Sequence, residues 1–109
     1  MLTDKLAGYL GFAARARKLQ TGYNTVLGLI EKRKAKLVIV AENAAEGTRD
    51  KISGKCRSHN VPCVIFGESD ELSHVTGTGK TTVFAVIDGD FAKVISGEID
   101  RIRSEGDIR

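Results

Sequence analysis

The chain has 109 residues, of which 41% are hydrophobic, and a formal net charge of +3 at pH 7. This length provides one compact core and is too short for two ordinary domains, so we expect a single domain over residues 1–109. The first residues lack a positive segment ahead of an apolar stretch, and no run approaches the roughly 18 apolar residues that a membrane span needs. We therefore expect a cytoplasmic chain without a membrane partner.

Basic charge is concentrated in the first half of the chain. Residues 1–57 carry 12 Lys or Arg against 5 Asp or Glu, whereas residues 58–109 carry 5 against 9. Such segregation of charge favours the binding of a polyanion, such as a nucleic acid, at one surface. Solvated helix faces produce the same pattern.

The cysteine and histidine positions argue against a metal site. Cys56 and Cys63 lie seven positions apart, without the spacing of a zinc site, and His59 and His74 belong to no cluster of ligands. We expect no metal, no cofactor and no disulfide, which fits a reduced, cytoplasmic setting.

The first half of the chain predicts two helices and two strands. Thr3 can cap a helix in which apolar residues recur at helical spacing, and residues 18–21 favour a short strand. A second helix is predicted from Gly22 to about Arg33. Residues 37–41 (LVIVA) are rich in β-branched side chains, which indicates a central strand buried on both faces.

The second half continues the alternation of helices and strands. The predicted elements are a helix to about residue 58, a strand at 63–66, a helix from 68 or 69 to 75, a strand at 83–87, and a helix from residue 90 with a frayed tail over 103–109. The alternation predicts an α/β fold, namely a three-layer α/β/α sandwich with a mostly parallel or mixed four-stranded sheet.

A glycine-and-asparagine helix start is the feature most indicative of function. Residues 22–28 (GYNTVLG) open the second helix, where unpaired backbone N–H groups and a partial positive charge are exposed. Gly22 and Asn24 would let a phosphate or a base edge approach these groups closely. Counter-charge would come from the basic residues Lys32, Arg33, Lys34 and Lys36. The segment is typical of a surface that docks RNA.

Gly28 and the pair formed by Glu42 and Asn43 have two explanations each. Gly28 lies inside a predicted helix, where glycine costs about 1 kcal/mol relative to alanine; either tight helix packing or close approach of a ligand accounts for it. Glu42 and Asn43 follow the central strand, where open α/β sheets commonly contact ligands. Capping of a helix by Asn43 is the alternative explanation.

The segment GTGKT at residues 77–81 is similar to a phosphate-binding loop but does not match it. The full motif needs a glycine at position 74, which is His74, and it follows a strand, whereas this segment follows a predicted helix. It is either a mobile connector or a flexible contact to RNA. The carboxylates Asp88, Asp90, Glu98 and Asp100 are typical of a solvated helix face and its cap, so no enzyme is indicated.

The order of these segments resembles a known family. The segments TGYNTVLGLIEKRKAKLVIVAEN, DKISGKCRSHNVPCVIF, DELSHVTGTGK and VFAVID are similar to those of the kink-turn RNA-binding ribosomal proteins, which include archaeal L7Ae and L30e. The opening YLGFAARARKLQTG and the late DGDFAKVI look most like the short bacterial branch of the YlxQ type. The resemblance implies an α/β/α sandwich that binds a sharply bent RNA duplex.

The resemblance also implies which residues contact RNA. Gly22 and Asn24 match a glycine and an asparagine of the family, and Lys32 matches a basic position that contacts phosphate. The other matching positions are Glu42 and Asn43, on an acidic pair, and Val75, Thr76, Gly77 and Thr78, in a loop that packs against a flipped-out nucleotide. In four places the chain departs from the pattern: Thr25 replaces a glutamate that reads guanine, Gly28 a lysine, Asn43 an acid and Ser73 a glycine.

Together these features predict a non-enzymatic RNA-binding protein of ribosomal type, acting in translation with structured RNA and with other translation proteins. Phosphates would contact Lys32, Arg33, Lys34 and Lys80, and bases would contact Asn24, Thr25 and the loop at residues 75–78. Because Thr25 and Gly28 remove one acceptor and one charge, a protein-interaction module that has lost RNA binding is the alternative, with the acidic C-terminal half as its docking face.

Overall fold

The structure is a computed structural model, and it describes residues 2–107. Within this range the elements are α1 (Asp4–Arg15), β1 (Leu19–Thr21), α2 (Tyr23–Glu31), β2 (Leu37–Val40), α3 (Glu46–Ser58), β3 (Cys63–Ile65), α4 (Ser69–Thr76), β4 (Val83–Val86) and α5 (Gly89–Asp107). The predicted order of elements is confirmed. None of the helices within residues 2–107 combines the length and the apolar character that crossing a bilayer requires.

The four strands form one mixed sheet in the order β1-β4-β2-β3. The β2 and β3 strands are parallel and are connected through α3, as the sequence predicts. β4 inserts between β1 and β2 and runs antiparallel to both. The mixed sheet is therefore the correct one of the two predicted arrangements, because two of the three strand pairs are antiparallel.

The helices cover both faces of this sheet, which gives the predicted three layers. On β2, Leu37 and Ile39 pack into a core with α1, α4 and α5, while Val38 and Val40 pack into a second core with α2 and α3. All four β2 residues are buried. Alternate side chains of a strand point to opposite faces, so an apolar run such as LVIV can fill both cores.

The sheet has two ends with different roles, which we call the carboxyl edge and the amino edge. At the carboxyl edge the chain leaves β1, β2 and β3 and enters β4; at the amino edge it enters β1, β2 and β3 and leaves β4. The helices α1, α2 and α3 each precede a strand, so all three end at the amino edge. The helices α2 and α3 begin at the carboxyl edge.

The helices α1, α2 and α3 end in the same backbone motif. In α1 the N–H of Lys18 donates to Ala13 O at 2.8 Å, and in α2 the N–H of Lys34 donates to Leu29 O at 2.9 Å. These six-residue closures are Schellman motifs, which place one residue in the left-handed conformation. Those residues are Arg17 (φ 61°), Arg33 (φ 60°) and Asn60 (φ 58°).

Two of these three left-handed positions hold arginine, which is not a residue that favours them. The left-handed conformation costs a residue with a Cβ roughly 1–2 kcal/mol, whereas glycine adopts it readily and asparagine tolerates it. A cation at the end of a helix recovers only about 0.3–1 kcal/mol from the helix dipole. The chain uses glycine at the end of α4, where Gly77 has φ 69°. Arg17 and Arg33 are therefore conformationally costly.

The longest helix, α5, is fixed to the start of α1 through a buried carboxylate. Thr3 caps α1, as predicted, by accepting from Leu6 N at 3.1 Å, and its hydroxyl donates to Glu98 Oε2 at 2.9 Å. Hydrogen bonds donated by Arg101 and, with a smaller effect, by Thr3 lower the pKa of Glu98 to about 2, although burial by itself would raise it. The expectation that Glu98 lies on a solvated face is thus wrong, because two partners compensate for its burial.

The remaining expectations for α5 concern its two ends. Asp88 is the carboxylate that caps the helix, by accepting from Phe91 N at 2.9 Å. The helix continues through residues 103–107, for which the sequence predicts a frayed tail. Fraying itself stays a prediction, and residues 108 and 109 lie outside the described part of the chain.

Candidate nucleic-acid interface

The start of α2 has no side-chain cap and is fixed to β4 by a backbone hydrogen bond. Gly22 precedes the helix with φ 103° and ψ 144°, a backbone conformation that side chains with a Cβ rarely adopt. Its N–H donates to Val83 O at 3.1 Å, which fixes the start of the helix against the sheet. No side chain caps α2. The first N–H groups of the helix, with the positive end of its dipole, are therefore available to an anion.

A cleft of about 720 Å³ lies at the carboxyl edge, beside this helix start. Gly22 and Tyr23 of the helix start line it together with Gly79 and Lys80 of the loop between α4 and β4. The remaining lining residues are Thr21, Asn43, Thr48, Ser69, Asp70, Thr81, Thr82 and Val83. The fold thus brings together Gly22, Asn43 and Lys80, which the sequence singles out from three separate segments.

Four of the predicted residues form one solvent-facing stripe along α2. Successive residues of a helix are rotated by about 100°, so Asn24, Thr25, Gly28 and Lys32 fall on one face, opposite the buried Val26 and Ile30. Nothing lies within 4 Å of the position that a Cβ on Gly28 would occupy. Tight packing therefore does not explain Gly28, and the close approach of a ligand stays a prediction.

The predicted basic cluster lies at and beyond the end of α2, away from the helix start. A nine-residue helix rises about 13 Å, so residues beyond its end lie far from the helix start. Lys32 is the exposed C-cap residue, while Arg33 and Lys36 line a separate groove at the amino edge, and Lys34 lies between them in the chain. The expectation that these cations supply counter-charge beside Gly22 is wrong, because the whole of α2 intervenes.

The side chain of Asn43 caps a helix, although not the one that follows it in the chain. Its Oδ1 accepts from Ser69 N at 2.9 Å and its Nδ2 donates to Ser69 Oγ at 3.0 Å, at the start of α4. The neighbouring Glu42 is exposed, and its N–H donates to Gly67 O at 2.7 Å. Capping is therefore an observed role of Asn43, and it orders one wall of the cleft.

The loop at residues 75–78 contributes less to this surface than the resemblance implies. Thr76 is buried, and its hydroxyl donates to Leu72 O at 2.8 Å and lies 3.0 Å from Thr78 Oγ1. Val75 is half-buried, and Gly77 is the left-handed end of α4. Thr76 thus has a structural role, and its contact with a nucleotide stays a prediction, whereas Gly79 and Lys80 of the same loop line the cleft.

The GTGKT segment connects the end of α4 to the start of β4, which confirms the predicted order of helix, loop and strand. A phosphate-binding loop of an ATPase requires the opposite order. Lys80 is exposed and takes part in none of the ion pairs found within residues 2–107. Asp70 is the one acidic residue lining the cleft, so Lys80 faces a mixed local charge.

The two cysteines are close in the fold but do not form a disulfide. Cys56 and Cys63 are both free thiols, and a hydrogen bond from Cys56 lowers the pKa of Cys63 to about 7 while that of Cys56 rises. Among the described residues, no group of three His, Cys, Asp or Glu side chains has an arrangement that could hold a metal ion.

Sequence reasoning missed several residues of the cleft, including Tyr23, Thr48 and Ser69. Tyr23 lies between Gly22 and Asn24, so its position at the helix start could have identified it as a residue of the site. Thr48 and Ser69 belong to the first turns of α3 and α4, and only the order of strands in the sheet shows that these turns meet.

The sequence and the fold were compared with known proteins. Residues 4–96 match the model of the Ribosomal protein L7Ae/L30e/S12e/Gadd45 family. The chain is 36% identical over 90 residues to RNA-binding protein YlxQ of Enterococcus faecium, with coverage of 83% of this chain and 86% of that protein. It is 34% identical over 91 residues to RNA-binding protein YlxQ of Bacillus subtilis, with coverage of 84% and 91%.

Solved structures have the same fold. A protein with unknown function from Bacillus halodurans C superposes with a TM-score of 0.86 at 32% identity, covering 90% of this chain and 99% of that chain. The Giardia lamblia 15.5kD RNA binding protein superposes with a TM-score of 0.69, covering 89% and 86%. Because the sequence identity is 23%, this second similarity shows the shared fold alone.

The role of Asn43 gives a prediction about stability. Asn43→Ala removes the cap of α4 and is expected to lower the free energy of unfolding by about 1 kcal/mol, measured by urea denaturation. The matched control is Asn24→Ala, because Asn24 is exposed and its side chain takes part in none of the hydrogen bonds found in the described range. Equal stability of the two variants would show that the contact between Asn43 and Ser69 does not stabilise α4.

Proposed function

The chain belongs to the Ribosomal protein L7Ae/L30e/S12e/Gadd45 family, and from this premise we propose that it is an RNA-binding protein that recognises sharply bent RNA of the kink-turn type. The two curated relatives are RNA-binding proteins rather than enzymes. The chain is accordingly a non-enzymatic member of the family. RNA is its proposed partner, and the carboxyl edge is the proposed site of specific recognition.

The observation that carries this proposal is the cleft between the start of α2 and the loop that holds Lys80. Uncapped N–H groups beyond Gly22 can donate to phosphate oxygens. The ammonium group of Lys80, which lines the same cleft, can contact a second phosphate. Two phosphate-binding groups within one cleft suit a backbone that turns sharply, which a straight duplex does not provide.

The exposed stripe of α2 would supply the contacts that select bases. Asn24 offers both a donor and an acceptor, and Thr25 offers a hydroxyl group that can act as either. Gly28 leaves the helix surface open, so a ribose or a base can approach the backbone closely. RNA is read mainly where bases are unstacked, as at a bend, and contacts to the phosphate backbone position the protein without selecting sequence.

The cellular setting forms part of the same proposal. We place the protein in the cytoplasm, acting in translation and in contact with ribosomal RNA or other translation proteins. The free thiols of Cys56 and Cys63 fit a reducing compartment. The ribosomal type of the family supports a role in translation.

A protein-interaction module on the same scaffold is the second candidate. The departures at Thr25 and Gly28 favour it, and so does an exposed apolar patch on α1 and α5, where Phe12 is 59% and Val94 is 41% exposed. This candidate requires that the protein copurify with another protein after nuclease treatment and retain no RNA beforehand. Retention of a defined RNA before nuclease treatment would exclude it.

The proposed function is tested by titrating the purified protein with a kink-turn RNA and with a straight duplex of matched length, at two salt concentrations. We expect tighter binding to the kink-turn by at least about tenfold, or 1.4 kcal/mol, and we expect this preference to persist at the higher salt. Lys80→Ala should reduce the preference, whereas Lys93→Ala, on the exposed surface of α5, should leave it unchanged. Equal, salt-sensitive binding to both RNAs would contradict recognition of the bend.

The departures from the family pattern give a gain-of-function prediction. Thr25→Glu combined with Gly28→Lys restores an acceptor and a cation on the exposed stripe, and open space around Gly28 accommodates the new side chain. Since one good base contact contributes about 1–3 kcal/mol of discrimination, we expect the preference for kink-turn RNA to increase at least about fivefold. An unchanged preference in the same titration would argue against the assigned positions.

Lys32 at the end of the stripe should contribute affinity without specificity. Lys32→Ala is expected to weaken binding to all RNAs alike and to reduce the slope of log K against log salt by about 0.7 to 0.9, which corresponds to one lost phosphate contact. The slope is obtained from titrations at four or more salt concentrations, with Lys93→Ala as the charge-matched control. If Lys32→Ala left the slope unaltered, Lys32 would lie outside the interface.

A further inference from the structure

We propose that the amino edge of the sheet is a second RNA-binding surface, which contacts the phosphate backbone of another RNA segment while the cleft at the carboxyl edge holds the first. The inference rests on the proposed function in one respect, namely that the partner is RNA. It adds a second contact surface on the opposite side of the molecule. The protein would then connect two segments of a folded RNA.

The first observation is the charge that the fold collects at this edge. The last turns of α1, α2 and α3 and the segments that lead into the strands carry nine basic residues: Arg15, Arg17, Lys18, Lys32, Arg33, Lys34, Lys36, Lys55 and Arg57. Three acidic residues share the edge. Glu31 pairs with Lys55 at 3.1 Å, Asp88 accepts from Phe91 N, and Asp90 lies in the first turn of α5.

Most of these cations have no partner of opposite charge within the described residues. Lys55 is the one member of the set found in an ion pair across residues 2–107. Eight of the nine are exposed, and Lys55 is half-buried. Arg15 is held in place by its guanidinium, which lies 4.9 Å from the centre of the Phe12 ring. The surface therefore presents uncompensated positive charge to solvent.

The second observation is the backbone conformation of Arg17 and Arg33. Both occupy the left-handed position of a Schellman motif, where glycine would be accommodated without strain, and each is followed by a lysine. The dipole of the preceding helix recovers less free energy than this conformation costs, so stability does not account for the two arginines. Residues held in unfavourable conformations are concentrated at functional sites.

The geometry of the edge suits a nucleic-acid backbone better than a small anion. Arg33 and Lys36 line an open groove of about 260 Å³, together with His59, Asn60 and Pro62. The repeated Arg-Lys pairs precede β1 and β2, which are separated in the sheet by β4, so the charges are spread across the edge rather than directed at one point. A series of phosphates can engage separated cations in this way.

The test uses a charge-removing variant that should fold at least as well as the wild-type protein. Arg17→Gly combined with Arg33→Gly removes two cations from the amino edge and places glycine at both left-handed positions, so its melting temperature should not fall. Lys5→Ala combined with Lys51→Ala removes the same charge from exposed positions on α1 and α3 outside this edge. Each protein is first saturated with an unlabelled kink-turn RNA and then titrated with a labelled straight RNA duplex of about 16 base pairs.

We expect saturation with the kink-turn RNA to change the affinity of the wild-type protein for the duplex by less than about twofold. The Arg17→Gly and Arg33→Gly variant should bind the duplex at least about fivefold more weakly, with a salt slope smaller by up to about 1.8, while the Lys5→Ala and Lys51→Ala variant should not. Loss of duplex binding on saturation would show one shared site and overturn the inference, as would equal weakening by both variants. A wild-type protein that binds the duplex but not the kink-turn would refute the proposed function alone.

Discussion

Burial of β2 and β4 on both faces is the constraint on which the rest of the structure depends. All eight residues of these two interior strands are buried, and helices cover both sides of the sheet. Neither face of the sheet is therefore available to a ligand. Loops and helix ends have to emerge at the two edges, so every group that could contact RNA lies at one edge or along an exposed helix surface.

The helix α2 connects these two edges and relates their different properties. Its first turn, after Gly22, offers directional N–H donors beside a cleft, and its last residues lead into a cluster of cations. Directional donors at a bend select shape, whereas dispersed cations add affinity that depends on salt. The cleft at the carboxyl edge is lined by one cation, Lys80, and one anion, Asp70, so its lining has no net charge. We therefore assign the specificity and the affinity for RNA to opposite ends of α2.

Local patterns in the sequence were sufficient to predict the helices and strands but not all of the contacts between them. The strand predicted from the β-branched run at residues 37–41 and the cap predicted at Thr3 depend on neighbouring residues, and both predictions are confirmed. The placement of β4 between β1 and β2, and the cap that Asn43 provides for α4, depend on residues distant in the chain. The resemblance supplied the family and a match at Gly22, whereas the GTGKT segment indicated Lys80. It did not indicate the burial of Thr76.

We propose that RNA binds at the start of α2 and in the cleft beside the loop that contains Lys80. A heteronuclear NMR titration of the labelled protein with kink-turn RNA follows each backbone amide and tests this directly. We expect the largest shift changes at residues 22–28, where α2 begins, and at residues 79–82, which line the cleft. Large changes confined to the exposed apolar patch around Phe12 and Val94, with none at the cleft, would contradict this proposal.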